Sequence, residues 1–460
     1  MSLNLYTRMV SSCLFPLHET LKHHDTVQIR KEMERNQWLS PGALEALRVE
    51  RLRTFLSNVG KHVPYYRGLF RDQAFDPSTV SSLADLARLP LLTKAIIRAN
   101  TEQLKSEIAQ GLSRFNTGGS SGEPLIFFLG TKRVSHDVAA KWRATRWWDV
   151  DIGDPEIVVW GSPIELGTQD RVRQIRDSLL RTKLLPAFEM SEAKLDGFVA
   201  EIRAMRPRML FGYPSALAHI AHHAEARGQR MDDLGIRVAF VTSEKLYDHQ
   251  REQISRIFGC NVANGYGGRD AGFIAHECPS GGMHLTAEDI IVEIVDDAGN
   301  PVPHGQPGEI VTTHLATGDF PFIRYRTGDV GVLDDQLCAC GRGLPLLKEI
   351  QGRTTDFVVA QDGTVMHGLA LVYVVRDLPG VKEFKIVQES LDLTQVFLVT
   401  EAPFQHESLQ TIATALKQRL GSEVSIQIEH VVSIPKEASG KFRYVVSHVK
   451  SAVGSPAGTV

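Results

Sequence analysis

The sequence predicts an α/β protein, with a large N-terminal domain that includes an antiparallel β portion and a small α+β domain at the C-terminal end. Between about residues 135 and 330, short apolar runs alternate with helical stretches, which indicates a layered and largely parallel sheet. Beyond residue 352 the segments run helix, strand, strand, helix, strand, an order that fits a separate domain of about 100 residues. We therefore expect domains at residues 1–352 and 353–450, followed by a frayed tail at 451–460.

The first elements predicted along the chain are helices. Apolar residues recur at spacings of three and four from Pro41 to Gly60, as on the buried face of an amphipathic helix. A second helix is expected after Lys94. The segment TGGSSGEP at 117–124 then forms a loop between two short segments, and the second of these, LIFFLG, is a predicted strand.

The middle of the chain carries the strands of the predicted sheet. Strand-like runs lie at residues 157–160, 208–213, 236–243 and 261–267, and helical stretches lie at 214–228 and 246–258. This alternation predicts parallel pairing. From residue 283 onward, strands are joined by short turns rich in glycine and proline, so this portion is expected to be mostly antiparallel. Past residue 352 a hairpin, FVVAQDGTVMHG, precedes the rest of the small domain.

Composition and charge narrow the function classes. The 51 lysines and arginines nearly balance the 54 aspartates and glutamates, so nothing suggests the strongly basic surface that nucleic-acid binding favours. No run approaches the roughly 18 apolar residues of a membrane helix, so integral membrane association is not expected. Five unevenly placed cysteines predict a reducing compartment, and hence the cytoplasm. The oligomeric state is open, with a homodimer as one option.

The loop TGGSSGEP is a candidate phosphate site. Its glycines let backbone N–H groups turn inward and its hydroxyls add donors, an arrangement that suits a polyphosphate. A Walker loop would end in Gly-Lys-Ser/Thr, whereas Glu123-Pro124 stands here, so the P-loop NTPase class is excluded. Taken alone, the loop fits a flexible surface turn equally well. The candidate donors are Thr117, Gly118, Gly119, Ser120, Ser121 and Gly122.

Five further motifs follow this loop in order. They are GYPSAL at 212–217, NGYGGRDAG at 264–272, FIRYRTGD at 322–329, IQGR at 350–353 and PKEASGKFR at 435–443. Each motif is moderately specific, but the ordered set resembles the adenylate-forming enzymes, in the phenylacetate-CoA ligase branch with its capsule-biosynthesis-type relatives. The resemblance spans about residues 40 to 450.

The resemblance implies a two-step reaction. The carboxylate of a small-molecule acid attacks the α-phosphate of ATP to give an acyl-adenylate, and a thiol or another nucleophile then displaces AMP. It implies ATP with Mg²⁺, CoA as the acceptor, an aryl or arylacetic acid as the favoured substrate, and a small domain that moves between the steps. Backbone donors, Mg²⁺ and a lysine can stabilise the charge that develops at phosphorus.

Several residues match functional positions of these enzymes. By this resemblance, Asp329 accepts the ribose hydroxyls, and Tyr266, with Gly267 beside it, stacks on adenine. Arg353 opens the hinge to the small domain and reaches the ribose, and Lys441 bridges the substrate carboxylate and the α-phosphate. From the residues alone, Asp329 and Lys441 also fit ordinary turns and Tyr266 fits a core aromatic.

Three positions depart from the family pattern. Glu123 stands where many relatives have a lysine, which removes a positive charge near the departing pyrophosphate. Asp270, assigned here as catalytic, aligns with the magnesium-associated glutamate; its shorter side chain favours a bridging water over direct coordination. Thr355 stands at the hinge, where aspartate or lysine is common.

The cysteines form a second candidate site. Cys278 and His284 are close in sequence, and Cys338 and Cys340 follow in the glycine-rich segment CACGRG. Three thiolates and an imidazole make a closed tetrahedral set, which suits structural zinc. Some members of the family branch carry such a site. Buried or incidental thiols are the alternative, because the spacing is not the common Cys-x-x-Cys.

The sequence leaves three functions to weigh. The leading hypothesis is an ATP-dependent acid-thiol ligase that makes an acyl-CoA. The second function shares the adenylation step but hands the acyl group to a hydroxyl or amine, as on a polysaccharide precursor. The third is a nucleotide-binding relative without catalysis, which Glu123 and Asp270 support, whereas Lys441, Asp329 and Arg353 oppose it.

Overall fold

The computed structural model describes most of the chain. The described residues are 4–116, 125–160, 171–187, 192–353, 357–362, 365–367, 371, 374–375, 378, 380–400, 406–435 and 443–449. The fold is mixed α/β, with one large sheet and a separate small sheet near the C-terminal end, which confirms the predicted fold class. Within the described ranges, no helix combines the length and the apolar character needed to cross a bilayer.

Helices build the N-terminal part of the chain. Their bounds are α1 Leu5–Met9, a π turn Val10–Leu14, α2 Phe15–Leu21, α3 Thr26–Asn36, α4 Pro41–His62, α5 Pro64–Asp72 and α6 Lys94–Ala99, with 3₁₀ turns at Pro77–Thr79 and Leu83–Arg88. Ser40 begins α4, because its side-chain oxygen accepts the Ala43 N–H at 3.4 Å and Pro41 needs no partner in the first turn. Helices α4 and α6 match the predictions, whereas α1–α3 are not among the predicted elements.

An 11-stranded sheet runs through the large domain, in the order β10-β11-β12-β13-β9-β8-β7-β6-β5-β3-β4. The strand bounds are β1 Ser113–Asn116, β2 Ile126–Leu129, β3 Glu156–Trp160, β4 Thr182–Pro186, β5 Met209–Gly212, β6 Val238–Thr242, β7 Asn261–Gly268, β8 Gly272–Glu277, β9 Met283–Leu285, β10 Ile290–Val295, β11 Gly308–His314, β12 Tyr325–Asp334 and β13 Leu346–Arg353. Strands β1 and β2 stand apart as an antiparallel pair.

One half of the large sheet is parallel, as predicted. Strands β4, β3, β5, β6 and β7 pair in parallel. The helices that alternate with them are α7 Thr131–Arg146, α8 Arg171–Leu179, α9 Glu192–Met205, α10 Pro214–Ala226 and α11 Asp248–Phe258. Side chains of α9, α10 and α11 share one core with the sheet, and those of α7 share another. Every residue of β6 is buried, because a central parallel strand is covered on both faces.

The other half of the sheet is antiparallel, which confirms the predicted change from parallel to antiparallel pairing. The change occurs at hairpin β7–β8, and each later pairing in this sheet is antiparallel. Apolar side chains of α4 and α5 pack with this half in one hydrophobic core. The hairpin where the sheet changes direction carries the motif NGYGGRDAG.

The small domain has its own sheet and core. Its elements are β14 Phe357–Val359, β15 Val365–His367, β16 Val381–Gln388, β17 Leu393–Thr400, α12 His406–Leu420, β18 Ser425–His430 and β19 Val445–Ser447. Strands β14 and β15 form the predicted hairpin, and the four-stranded sheet has the order β18-β17-β16-β19. Strand β19 was not predicted; it forms through parallel pairing with β16, far away in sequence. The large sheet ends at Arg353, and the domain division at 352 and 353 stays a prediction.

Candidate active site

Hairpin β7–β8 presents two of the candidate residues. Tyr266 lies on β7, and Asp270 lies in the turn that joins the two strands. The hairpin is tight, since a Cβ atom on Gly267 would lie 2.1 Å from the carbonyl oxygen of Gly272. Gly267 is therefore required for the close approach of the two strands. This structural requirement is independent of any contact between Gly267 and a nucleotide.

Tyr266 is hydrogen-bonded to Asp329 on β12. Its phenol Oη donates to Oδ2 of Asp329 at 2.8 Å, and both residues are half-buried. The main-chain N–H of Asp329 donates to Oγ1 of Thr327 at 3.1 Å, which fixes the backbone of the aspartate. The structure thus joins the adenine and ribose candidates, two residues that lie 63 positions apart in the sequence.

Asp329 also adjoins the hinge candidate. It is the cross-strand partner of Arg353 in the antiparallel pair β12–β13, and β13 ends at that arginine. The backbone of Arg353 therefore leaves the large sheet beside the ribose candidate. The structure therefore brings Tyr266, Asp329 and the main chain of Arg353 together.

A second tyrosine holds Asp270. The phenol Oη of Tyr325 donates to Oδ2 of Asp270 at 2.6 Å, and the N–H of Ala271 donates to Oδ1 at 3.1 Å. Each oxygen keeps a lone pair for a further donor. Tyr325 belongs to the motif FIRYRTGD but is not among the predicted site residues. Its ring is fully buried and packs edge-to-face against Phe322. From the sequence alone, an aromatic residue at this position is therefore interpreted as part of the core.

Two parts of the predicted site lie outside the described residues. They are the glycine-rich loop, Thr117 to Glu123, and the segment that carries Lys441; Thr355 lies outside as well. The flanks of the loop are described. Antiparallel pairing of β1 with β2 runs from Ser113 opposite Leu129 to Asn116 opposite Ile126, which brings the two ends of the loop together.

The chain just after Lys441 contacts the large domain. The ring of Tyr444 lies 5.4 Å from the ring of Tyr247 at an interplanar angle of 82°, an edge-to-face contact. Burial and the nearby carboxylate of Glu244 raise the pKa of Tyr444, so its phenol stays neutral. Glu244 and Tyr247 lie between β6 and α11. This contact brings the small domain to the carboxyl end of the parallel strands, the edge where ligands bind in α/β sheets.

The four metal candidates converge in the antiparallel half. Cys278 directly follows β8, His284 lies on β9, and Cys338 and Cys340 follow β12. Their ligand atoms all lie within 4.8 Å of one another. The Sγ atoms of Cys278 and Cys338 are 3.6 Å apart, and Sγ of Cys340 is 3.2 Å from Nε2 of His284. Two thiolates on one tetrahedral zinc ion would lie about 3.8 Å apart, so this set fits zinc with small adjustments.

The surroundings of this cluster also suit a metal. Nδ1 of His284 pairs with the carbonyl oxygen of Leu344 at 3.3 Å, which leaves Nε2 directed at the cysteines. A Cβ atom on Gly282 would lie 2.6 Å from Sγ of Cys338, so the backbone must approach the thiol closely. Burial lowers the pKa of His284 to about 4, which keeps its imidazole neutral.

Two family models match separate parts of the chain. Residues 184–316 match the AMP-binding enzyme family, and residues 358–448 match the CapK C-terminal domain. The chain is similar to protein CapK of Staphylococcus aureus, with 22% identity over 88% of this chain and 89% of that protein. It is also similar to a phenylacetate-coenzyme A ligase of Thermus thermophilus, with 24% identity over 88% of this chain and 96% of that enzyme.

Solved structures share the fold. The crystal structure of 2-hydroxyisobutyryl-CoA ligase in its postadenylation state covers 90% of this chain and 91% of its own, with 21% sequence identity and a TM-score of 0.73. The same enzyme in its thioesterification state gives a TM-score of 0.61 at the same identity and coverage. The fold of the present chain is therefore shared with these solved structures over about nine tenths of its length.

Proposed function

Because the chain belongs to the adenylate-forming superfamily, in the phenylacetate-CoA ligase branch with CapK-type relatives, we propose that it activates a carboxylic acid with ATP and transfers the acyl group to CoA. One observation carries this proposal. Two tyrosine-aspartate hydrogen bonds, Tyr266 to Asp329 and Tyr325 to Asp270, join two motifs, NGYGGRDAG and FIRYRTGD, into one polar site at the point where the sheet changes direction.

In the first half-reaction, a carboxylate oxygen of the acid attacks the α-phosphorus of ATP. The bond from the α-phosphorus to the bridging oxygen breaks, and pyrophosphate leaves with its electron pair. The protein supplies positioning and electrostatic stabilisation rather than covalent chemistry. We assign the phosphates to N–H groups of the glycine-rich loop, whose ends β1 and β2 hold together, and the developing charge to Lys441.

The nucleoside is assigned to the Tyr266–Asp329 pair. Asp329 accepts the phenol of Tyr266 through Oδ2, and its carboxylate, which can accept several hydrogen bonds, is the group assigned to the ribose hydroxyls. The same bond fixes the ring of Tyr266, so its face is preorganised to stack on adenine. Arg353 is the cross-strand partner of Asp329. We assign its side chain to a contact with the ribose from the side of the hinge.

The Asp329→Ala variant is expected to raise the KM for ATP about 10- to 100-fold, because charge-assisted hydrogen bonds to the ribose are lost. The value of kcat should change less, since ribose contacts are the same in the ground and transition states. Steady-state kinetics with varied ATP measures both parameters. Asp334→Ala, at the far end of the same strand, is the matched control. An unchanged KM for ATP in Asp329→Ala would remove this assignment.

Asp270 is assigned to the magnesium ion that accompanies ATP. Tyr325 and the N–H of Ala271 hold its two oxygens in place, and a carboxylate with free lone pairs can accept a metal-bound water. Magnesium would neutralise phosphate charge and so favour attack at the α-phosphorus. The short side chain of Asp270 favours contact through water.

In the second half-reaction, the CoA thiol attacks the acyl carbonyl and AMP leaves. The thiol needs the approach that Lys441 occupies during adenylation, so the small domain has to reorient. In the described arrangement Tyr444 packs against Tyr247, a contact that fits the adenylation state.

We expect this Tyr444–Tyr247 contact to be present with acyl-adenylate bound and absent once CoA binds. Crystal structures or small-angle scattering of the apo, adenylate-bound and CoA-bound protein measure the domain arrangement. A single arrangement in all three states, with turnover retained, would contradict domain movement.

An aryl or arylacetic acid is the proposed substrate class. The rings of Trp160 and Tyr213 stack 4.4 Å apart at 26°. Trp160 is the last residue of β3 and Tyr213 directly follows the neighbouring parallel strand β5. Flat aromatic surfaces at this edge favour an aromatic acyl group. A pyrophosphate-release screen over a library of carboxylic acids tests both adenylation and acid class. Release with aliphatic acids alone would correct the substrate class, and release with none would refute adenylation.

An acceptor other than CoA is the second candidate. The match of residues 358–448 to the CapK C-terminal domain favours it, because the resemblance to capsule-biosynthesis-type relatives is what suggests an acceptor on a polysaccharide precursor. Product analysis with and without CoA separates the two functions. A CoA thioester supports the first function, and acyl transfer to a hydroxyl or amine compound without CoA supports the second.

We propose that Cys278, His284, Cys338 and Cys340 hold one structural zinc ion, as their distances and the His284 tautomer suggest. All four positions would be filled by protein atoms, so the ion would fasten β9 and the ends of β8 and β12 without meeting the substrate. The cytoplasm, where ATP and CoA are available, is the proposed location, and a homodimer is left as an expectation.

A further inference from the structure

Arg133, near the start of α7, is buried and bonded to the turn that carries Asp270. Its side chain is 1% exposed. Nη2 donates to the carbonyl oxygen of Arg269 at 3.1 Å, and Nη1 donates to the carbonyl oxygen of Asp270 at 3.3 Å. A planar guanidinium can hold two successive carbonyl groups at once, which a lysine ammonium cannot do in the same geometry.

Asp137 orients this guanidinium. Nε of Arg133 lies 3.0 and 3.1 Å from the two carboxylate oxygens of Asp137, one helical turn further along α7. Burial alone would raise the pKa of Asp137, but the Arg133 charge and the adjoining His136 and His314 hold it well below its usual range. The carboxylate therefore stays charged and keeps Arg133 aimed at the turn.

The histidines beside Asp137 could be taken for a metal site. Ligand atoms of His136, Asp137 and His314 lie within 4.8 Å of one another. However, Nδ1 of His314 accepts the N–H of Ala316 at 3.3 Å, so the neutral ring carries its proton on Nε2, the atom that faces Asp137. A protonated nitrogen cannot bind a metal, and the Arg133 charge would repel a cation. The cluster is better explained as a support for Arg133.

The hairpin is packed directly on this support. Gly272 begins β8 with a φ of +89°, and a Cβ atom there would lie 2.8 Å from the imidazole of His314 and 3.1 Å from Nη2 of Arg133. The glycine lets the backbone come this close. Arg133 thus holds the turn just before Gly272, and His314 abuts the turn where β8 begins.

We propose that Arg133 is a positioning residue for adenylation: it fixes the main chain at 269–270, so that Tyr325 and the Ala271 N–H can hold the Asp270 carboxylate in one orientation toward MgATP. This inference rests on the proposed function. Tyr325 bonds the carboxylate directly, whereas Arg133 acts through the backbone that carries it.

The test compares Arg133→Lys with Arg143→Lys. Arg143 lies on the same helix, is fully buried and pairs with Glu288, so the control loses a comparable buried arginine. Asp137→Asn is a second test variant, which keeps Arg133 but weakens its orientation, and thermal unfolding checks the folding of each protein. Two quantities are measured: kcat/KM for MgATP in pyrophosphate release, and affinity for Mn²⁺ in the presence of α,β-methylene-ATP.

Arg133→Lys is expected to lose about 100-fold in kcat/KM for MgATP and about 10-fold in Mn²⁺ affinity, with an unchanged KM for the acid. Asp137→Asn should show smaller losses of both, and Arg143→Lys should keep both near wild type. Equal behaviour of the two arginine variants in both assays would overturn the inference. The Mn²⁺ assay needs no turnover. It therefore still tests the positioning role of Arg133 if the wild-type protein adenylates no acid. A metal equivalent retained by Cys338→Ser and lost by His314→Gln would also overturn it.

Discussion

Lys441→Ala is expected to slow acyl-adenylate formation about 1,000-fold and to leave thiol capture of a supplied acyl-adenylate near the wild-type rate. The reason is that the lysine charge is required while negative charge develops on the carboxylate and the α-phosphate. In the proposed mechanism, the small domain reorients once the adenylate has formed, and the charge of Lys441 is then no longer needed. Pyrophosphate release measures the first half-reaction, and acyl-CoA formation from synthetic acyl-adenylate measures the second.

Lys417→Ala is the control for this experiment. Lys417 is an exposed lysine on α12 of the same small domain, so its loss removes one positive charge without touching the hinge. We expect wild-type rates for it in both half-reactions. Equal losses of both half-reactions in Lys441→Ala would show that the lysine acts on domain placement or folding instead of on phosphorus chemistry.

Cys338→Ser is expected to lose the bound zinc and to lower the unfolding temperature by about 10 °C. The Sγ atom of Cys338 lies 3.6 Å from that of Cys278, which is 60 residues away in sequence, and both belong to the four-residue cluster. Without the proposed ion, β9 and the segment after β12 would lose the link that it provides. Metal analysis of protein purified without added zinc should find about one equivalent in the wild type and none in the variant.

Cys13→Ser serves as the matched control, because Cys13 is an exposed cysteine far away in sequence. It should keep the zinc and the unfolding temperature. Chelation of wild-type protein should lower the unfolding temperature before it lowers adenylation, since a zinc ion with four protein ligands would be structural and would not contact the substrate. Wild-type protein without metal, or adenylation lost before stability, would contradict a structural zinc ion.

Much of the fold follows from local patterns. The buried run of β6 and the helices that flank it are bounded by turn residues, so their type and order could be predicted from the sequence. The Cys₃His set could be predicted because cysteines are few and their chemistry is restricted. In both cases the information lies within short segments or in rare residue types.

Other features depend on contacts that no short segment encodes. Strand β19 has three residues and exists through pairing with β16, more than 50 residues away in sequence. In the sequence, Arg133 has the pattern of an ordinary helix arginine. Its bonds to the hairpin β7–β8 are visible only in the fold, where α7 packs beneath that hairpin. The sequence pattern of Tyr325 indicates a core residue. Its phenol is part of the site because strand β12 places it within hydrogen-bond distance of Asp270. The site is thus more interdependent than its motifs indicate.

The central claim is that a substrate carboxylate attacks the α-phosphorus of ATP, and oxygen isotope transfer tests it most directly. The acid identified by the pyrophosphate screen is labelled with ¹⁸O in its carboxylate, turned over with ATP and CoA, and the AMP is analysed by mass spectrometry. Attack at the α-phosphorus predicts one ¹⁸O atom in each AMP, because the bridging oxygen of the acyl-adenylate leaves with the nucleotide. Unlabelled AMP, or ADP with labelled phosphate, would contradict the adenylate mechanism.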